Sequence, residues 1–159
     1  MTRSLLPVLI SSVVLFTAVG CTKKFIPNTE IEDTDENREI VAFCERYRNA
    51  VEDMNVGLLM SLAAPRYFDN NGTPTGDDDF DRNGLEEILA AKFKSVKAMR
   101  YEIRYRGIFE SHGAIYVEYT FNMSFQYDVE EKSKWANRTS DNRLELERVD
   151  DGFLIVSGM

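Results

Sequence analysis

Apolar and polar positions divide the chain into a helical first part and a strand-rich second part. Between residues 35 and 54, apolar side chains recur three or four positions apart, which predicts one amphipathic helix. Asn55 is suited to cap a second, short helix, and Pro65 ends that helix because proline lacks the backbone donor that a helix needs. The same spacing over residues 84–96 predicts a third helix.

From Met99 onward the apolar positions alternate with polar ones, as they do in half-buried strands. All the odd positions from Ile115 to Tyr127 are apolar or aromatic, so we predict a long, central strand there. A further strand is predicted from Trp135 to about Val149, with a candidate break at 140–142. Asp150-Asp151-Gly152 then predicts a tight hairpin into a last strand.

Helices followed by antiparallel strands predict an α+β fold. We expect three N-terminal helices to pack in the concave face of a curved, mainly antiparallel sheet. Residues 35–159 suffice for one hydrophobic core and are too few for two, since 43% of the chain is apolar. They are therefore predicted to form a single domain.

The first twenty residues have the pattern of an export signal. They carry one charge, Arg3, followed by an apolar run over residues 5–18 and small residues before Cys21. The run is too short for a permanent membrane span, which needs about 20 apolar residues. We therefore predict that residues 1–20 are a signal peptide and exclude them from the fold.

Ala18-Val19-Gly20-Cys21 resembles the bacterial lipobox. The resemblance implies that Cys21 becomes the N-terminus and is acylated, with palmitate among the acyl chains, so that the protein is held on a membrane. Each buried methylene of an acyl chain contributes about 0.8 kcal/mol to membrane binding. Thr22 follows the cysteine instead of Asp, which by the same resemblance favours the outer membrane. An ordinary secretory signal that ends beside a cysteine is the alternative.

Residues 21–34 are polar, acidic and proline-containing, which predicts a flexible tether between the acylated cysteine and the domain. The formal charge of −8 disfavours a nucleic-acid partner and also docking on anionic lipid. Membrane association is therefore predicted to rest on the acyl anchor, with the domain in the bacterial cell envelope, facing the periplasm. Cys44 falls on the apolar face of the first helix and is predicted to be a small buried side chain.

The order of elements resembles the nuclear-transport-factor-two-like fold, a cone shared by ketosteroid isomerase and scytalone dehydratase. The resemblance covers residues 35–159, and the residues that carry it are Arg46-Tyr47, Ala50 to Asn55, Leu58 to Ala64, Tyr67-Phe68-Asp69 and Gly152 to Ile155. It also implies that a homodimer through the sheet can form.

The resemblance to ketosteroid isomerase implies two candidate catalytic residues. Its helix-one tyrosine corresponds to Tyr47, and its general-base aspartate corresponds to Asp69 or to the adjacent Asn70. A second acidic donor has no counterpart, because the odd positions of residues 115–127 are uncharged. The lone histidine, His112, falls in a predicted hairpin turn, where an exposed side chain is expected.

An acidic stretch precedes the third helix and provides a candidate metal site. Asp77, Asp79, Asp81 and Asn83 offer oxygen ligands beside Gly84, as in the first half of a calcium-binding EF-hand loop. Ala90 stands where that loop has its bidentate carboxylate. The alternative is a solvated loop whose carboxylates stabilise the N-terminus of the third helix. No organic cofactor is predicted.

Three functions follow from these features. The preferred one is a noncatalytic envelope lipoprotein that binds a small apolar ligand or an envelope protein. The second is an isomerase- or dehydratase-like enzyme that uses Tyr47 and Asp69. The third is a calcium-stabilised module that uses the acidic stretch.

Overall fold

The structure is a computed structural model that describes residues 23–130 and 132–159. Cys21, the predicted lipidation site, lies outside the described residues. Within these two ranges, no helix is both long enough and apolar enough to cross a membrane.

Three helices form at the positions that the apolar spacing predicts. They are α1 (Asp35–Glu52), α2 (Val56–Leu62) and α3 (Arg82–Lys94). The side chain of Asn55 accepts a hydrogen bond from the backbone N–H of Leu58 and caps α2, as expected. The third helix begins two residues earlier than predicted, because Asp81 accepts hydrogen bonds from the N–H groups of Asn83 and Gly84 and caps it.

Six strands form two antiparallel sheets. They are β1 (Phe68–Asp69), β2 (Phe80–Asp81), β3 (Val96–Ser111), β4 (Ala114–Val129), β5 (Lys132–Val149) and β6 (Gly152–Ser157). The first two pair with each other, and the other four form one sheet in the order β3-β4-β5-β6. The candidate break at 140–142 is absent, because these residues keep their register with residues 119–121 of β4.

The core lies between the helices and the inner face of the larger sheet. The stripe Ile40, Phe43, Cys44, Tyr47 and Ala50 of α1 is buried, as the periodicity predicts. One continuous cluster of buried side chains extends from Ile31 to Ile155. The predicted α+β arrangement is confirmed, and the buried cluster draws side chains from the helices and from the larger sheet.

The residues before α1 differ from the predicted tether. Phe25 and Glu32 form an antiparallel β-bridge, and the N–H of Glu30 donates a hydrogen bond to the carbonyl oxygen of Tyr105 on β3. Ile31 is only 2% exposed, so its burial attaches this segment to the domain. Composition alone missed this attachment because Phe25, Ile26 and Ile31 are too few and too unevenly spaced to show a period.

Cys44 is fully buried on α1, as predicted. Burial raises the pKa of its thiol to about 12, so the thiol stays protonated and unreactive at neutral pH. Cys44 is therefore a packing residue.

Candidate functional site

Three buried tyrosines, which we call the tyrosine cluster, lie where the helices meet the sheet. Tyr47 comes from α1, Tyr101 from β3 and Tyr119 from β4, and each is at most 4% exposed. The rings of Tyr47 and Tyr101 meet edge to face, with centroids 6.3 Å apart. Burial raises the pKa of all three hydroxyl groups. At neutral pH these hydroxyls can donate hydrogen bonds but cannot serve as bases.

A hydrogen-bond network connects the tyrosine cluster to Asp69. The side-chain amide of Asn142 donates to the hydroxyl of Tyr119 at 3.0 Å and to the carbonyl oxygen of Gly158 at 2.9 Å. The N–H of Gly158 donates to Oδ2 of Asp69 at 2.7 Å. The hydrogen bonds therefore run from Tyr119 to Asp69, and Tyr47, the other predicted catalytic residue, belongs to the same cluster as Tyr119.

Asp69 is half-buried on β1, and both of its carboxylate oxygens accept hydrogen bonds. Oδ1 accepts from the N–H of Asn71 at 2.8 Å, and Oδ2 accepts from Gly158 and from the hydroxyl of Tyr67 at 3.2 Å. Asn70, the other candidate for the general base, is exposed and accepts from the N–H of Gly72 in the following turn. In this arrangement Asp69 holds the turn and Gly158 together.

Beyond the tyrosine cluster, the inner face of the sheet carries apolar side chains that the helices only partly cover. We call this surface, formed by Met99, Phe121, Met123, Phe125 and Tyr127, the open inner surface. These residues are all half-buried, whereas Ile115, Val117 and Tyr119 earlier on the same face of β4 are buried. Phe121 and Met123 pack against the core, and the rings of Phe125 and Tyr127 are 5.8 Å apart. The concave side thus exposes a continuous apolar strip.

Arg138 on β5 borders the open inner surface. It pairs with Met123 across the sheet, and paired residues share a face. Its guanidinium carbon lies 5.9 Å from the centre of the Phe121 ring, and its charge acts to lower the pKa of Tyr101. Lys134 pairs with Tyr127 and lies on the same face. Sequence reasoning missed both cations, because their place depends on the register between β4 and β5.

The acidic stretch surrounds the start of α3. Asp77 and Asp79 are exposed, and Oδ1 of Asp81 accepts the two hydrogen bonds that cap the helix. Among the described residues, no group of three or more His, Cys, Asp or Glu side chains is placed to hold a metal ion. Asn83 contributes its N–H to the cap. The cap accounts for Asp81, and calcium binding stays a prediction.

Cavities among the described residues lie beside α2 and the last strands. One of about 520 Å³ is lined by Met60, Ser61, Ala63, Pro65, Asp81, Arg82, Asn83 and Leu154. Another, of about 470 Å³, is lined by Arg46, Asn49, Leu58, Ser61, Leu62, Val149, Asp151, Phe153 and Leu154. Neither is lined by Tyr47 or Asp69, so these cavities are separate from the predicted catalytic residues.

The outer face of the larger sheet carries salt bridges together with a few exposed aromatic side chains, among them Phe109 and Trp135. Arg104 and Arg106 form salt bridges with Glu30 and Asp141. His112 is exposed in the turn between β3 and β4, as expected. The outer face therefore behaves as the solvent-facing side of the sheet.

The sequence matches no protein-family model and has no significant match among curated proteins. Several solved structures are nevertheless similar to it. A nuclear transport factor 2-like (NTF2-like) superfamily protein from Salmonella enterica serovar Typhimurium has a TM-score of 0.60 at 14% identity, covering 76% of this chain and 89% of its own. The domain has the NTF2-like fold.

Two further solved structures support this assignment. A protein of the NTF2-like family from Streptomyces avermitilis has a TM-score of 0.62 at 12% identity, covering 77% of this chain and 93% of its own. A ketosteroid isomerase-like protein from Erwinia carotovora atroseptica has a TM-score of 0.58 at 16% identity, covering 78% and 93%. Identities this low establish the fold alone, which confirms the fold that the sequence resembles.

Proposed function

We propose that this chain is a bacterial envelope lipoprotein whose NTF2-like domain binds a small apolar ligand without transforming it. The anchor is supported by the lipobox-like residues 18–21 after an export signal. The negative charge of −8 leaves acylation of Cys21 as the means of membrane attachment. The domain would then face the periplasm from the outer membrane.

The observation that carries ligand binding is the open inner surface. Phe121, Met123, Phe125 and Tyr127 continue the buried row of β4 but stay partly exposed on a concave face. Concave, mostly apolar surfaces are the usual sites for small ligands. Covering apolar surface is favourable by about 25 cal/mol per Å². An apolar ligand would bury the side chains of the open inner surface that the helices leave exposed.

Titration of residues 23–159 with a neutral apolar dye, Nile red, tests this site. We expect binding with enhanced dye fluorescence, and we expect Phe125→Ser to weaken it. Phe109→Ser is the matched control, since Phe109 is 42% exposed and pairs with Tyr116 on the outer face. Absence of dye binding by the unsubstituted domain, or equal weakening by both variants, would contradict the proposal.

Metabolic labelling of the full chain with an alkyne analogue of palmitate tests the anchor. The label and membrane fractionation should be lost in Cys21→Ser. They should persist in Cys44→Ser, because the thiol of Cys44 is buried inside the domain. Labelling that survives Cys21→Ser would exclude acylation at this position.

An isomerase-like enzyme is the second candidate. The observation that favours it is the network that joins the tyrosine cluster to Asp69. A protein with this fold from Erwinia is described as ketosteroid isomerase-like. Isomerase activity on a ketosteroid that Tyr47→Phe and Asp69→Asn both abolish would support this candidate, and an inactive unsubstituted domain would remove it.

A further inference from the structure

The charges beside the open inner surface are positive, although the chain as a whole is acidic. On β5, the residues that share the inner face with this surface are Lys134, Ala136, Arg138 and Ser140, paired with residues 121–127 of β4. No odd position between Ile115 and Tyr127 is acidic. Asp141 and Glu145 lie on the outer face, paired with Thr120 and Tyr116. The inner face therefore combines an apolar strip with cations.

Arg138 is one of the arginines that form no salt bridge among the described residues. Arg38, Arg48, Arg66, Arg104, Arg106 and Arg148 each form a salt bridge with a carboxylate. Arg138 forms none within residues 23–130 and 132–159 and lies over the ring of Phe121 instead. Stacking on an aromatic ring leaves the edge of a guanidinium group able to bind an anion.

Arg138 lies beside the apolar strip, so one ligand molecule can contact both. Arg138 is paired with Met123 in the middle of the strip, and Phe125 and Tyr127 follow on the same strand face. A guanidinium group binds a carboxylate through two parallel hydrogen bonds, which a neutral head group cannot form. A hydrocarbon chain attached to that carboxylate can then lie over the aromatic rings.

We propose that the ligand is an aliphatic carboxylate of the fatty-acid class, with its chain on the open inner surface and its carboxylate on Arg138. This inference rests on the proposed ligand-binding function and adds the chemical class of the ligand. Lys134 lies four residues before Arg138 on the same face of β5 and contributes positive potential at the same rim. Arg138 is thus the residue that sets specificity for an acid over the corresponding alcohol.

Calorimetric titration of residues 23–159 with dodecanoate and with dodecanol tests the inference. We expect the domain to bind dodecanoate about tenfold more tightly than dodecanol, because only the acid forms the charge-assisted bonds. Arg138→Gln should abolish this preference by weakening dodecanoate binding about tenfold. Arg143→Gln is the matched control, since Arg143 also lies over a ring, that of Tyr116, but on the outer face. It should keep the preference.

The outcomes separate the inference from the proposed function. Binding of both compounds with equal affinity, or a preference that survives Arg138→Gln, would overturn the role of Arg138 and leave the apolar site standing. Binding of neither compound would overturn both. Circular dichroism of each variant shows whether the substituted domain is folded, and Arg138→Lys provides a second, milder variant that should retain part of the preference.

Discussion

The backbone N–H of Gly158 donates a 2.7 Å hydrogen bond to Oδ2 of Asp69, and this contact ties the residues after β6 to the turn after β1. Gly158 has a φ of +94°, and a Cβ at this position would lie 2.0 Å from the carbonyl oxygen of Arg143. Only glycine fits this close approach. The network between Asp69 and the tyrosine cluster therefore depends on a residue without a side chain.

We expect Gly158→Ala to lower the free energy of unfolding by about 2–3 kcal/mol, because it adds a steric clash to backbone strain. Gly113→Ala is the control. Gly113 has a φ of +81° but nothing within 4 Å of its Cβ position, so strain alone should cost about 1 kcal/mol. Urea unfolding measures both. Equal losses would show that the contact with Arg143 does not constrain position 158.

The carboxylate of Asp69 is expected to contribute to stability whether or not it has a catalytic role. Asp69→Ala leaves the N–H of Gly158 and the hydroxyl of Tyr67 without their acceptor, which should cost about 2 kcal/mol. Asp79→Ala, at an exposed acid, should change stability by less than about 0.5 kcal/mol. Thermal and urea unfolding of the two variants check this difference. An unchanged stability in Asp69→Ala would mean that these hydrogen bonds are replaced by water.

The tyrosine cluster predicts a loss of stability at alkaline pH. Burial raises the folded-state pKa of Tyr47 and Tyr119 well above the usual value, whereas in the unfolded chain tyrosines ionise at about pH 10. The contribution of these groups is fully present below about pH 10 and falls as the pH rises above it, since only the unfolded state releases the proton. Urea unfolding between about pH 8 and 11 should show this fall. Tyr47→Phe should reduce its slope, and an identical slope would contradict the assignment.

Affinity for aliphatic ligands should rise with chain length if the chain lies on Phe121, Met123 and Phe125. Each methylene added should increase affinity about fourfold, which corresponds to about 0.8 kcal/mol per buried methylene. Titration with carboxylates of increasing length measures this slope. Equal affinity at all lengths would mean that the hydrocarbon chain of the ligand stays in water and that the contact is electrostatic only.

The cap of α3 by Asp81 predicts that Asp81→Ala destabilises the domain by about 1 kcal/mol, whether calcium is present or not. Melting temperatures of the unsubstituted domain and of the variants, measured with excess calcium and with a chelator, distinguish the effect of the helix cap from that of bound calcium. A rise with calcium that Asp79→Ala removes would support the calcium site predicted from the sequence, because a ligand that binds only the folded state raises stability.

Elements with strong local periodicity could be predicted from the sequence. The stripe of α1 from Ile40 to Ala50 and the alternation of β4 from Ile115 to Tyr127 each contain enough repeats to define the buried face. Asn55 predicted the start of α2, because its side chain accepts a hydrogen bond from the backbone N–H of Leu58, which has no partner within the helix. These elements were sufficient to predict the fold class.

The contacts of the candidate site could not be predicted in the same way. The place of Arg138 opposite Met123 depends on the register of two long strands, and a shift of one residue would move Arg138 to the outer face. The contact between Gly158 and Asp69 joins positions far apart in sequence, which local patterns do not report. The short pairing of β1 with β2 involves too few residues to show a period.

The attachment of residues 24–32 to the domain would leave only a short link to the membrane if Cys21 is acylated as we propose. The carbonyl oxygen of Lys24 accepts a hydrogen bond from the N–H of Asp33, and Lys24 is three residues after Cys21 in the sequence. Three residues can span about 10 Å at most when extended. With Cys21 acylated as proposed, the domain would be confined to the headgroup region instead of sampling the periplasm, and its rotation relative to the bilayer would be restricted.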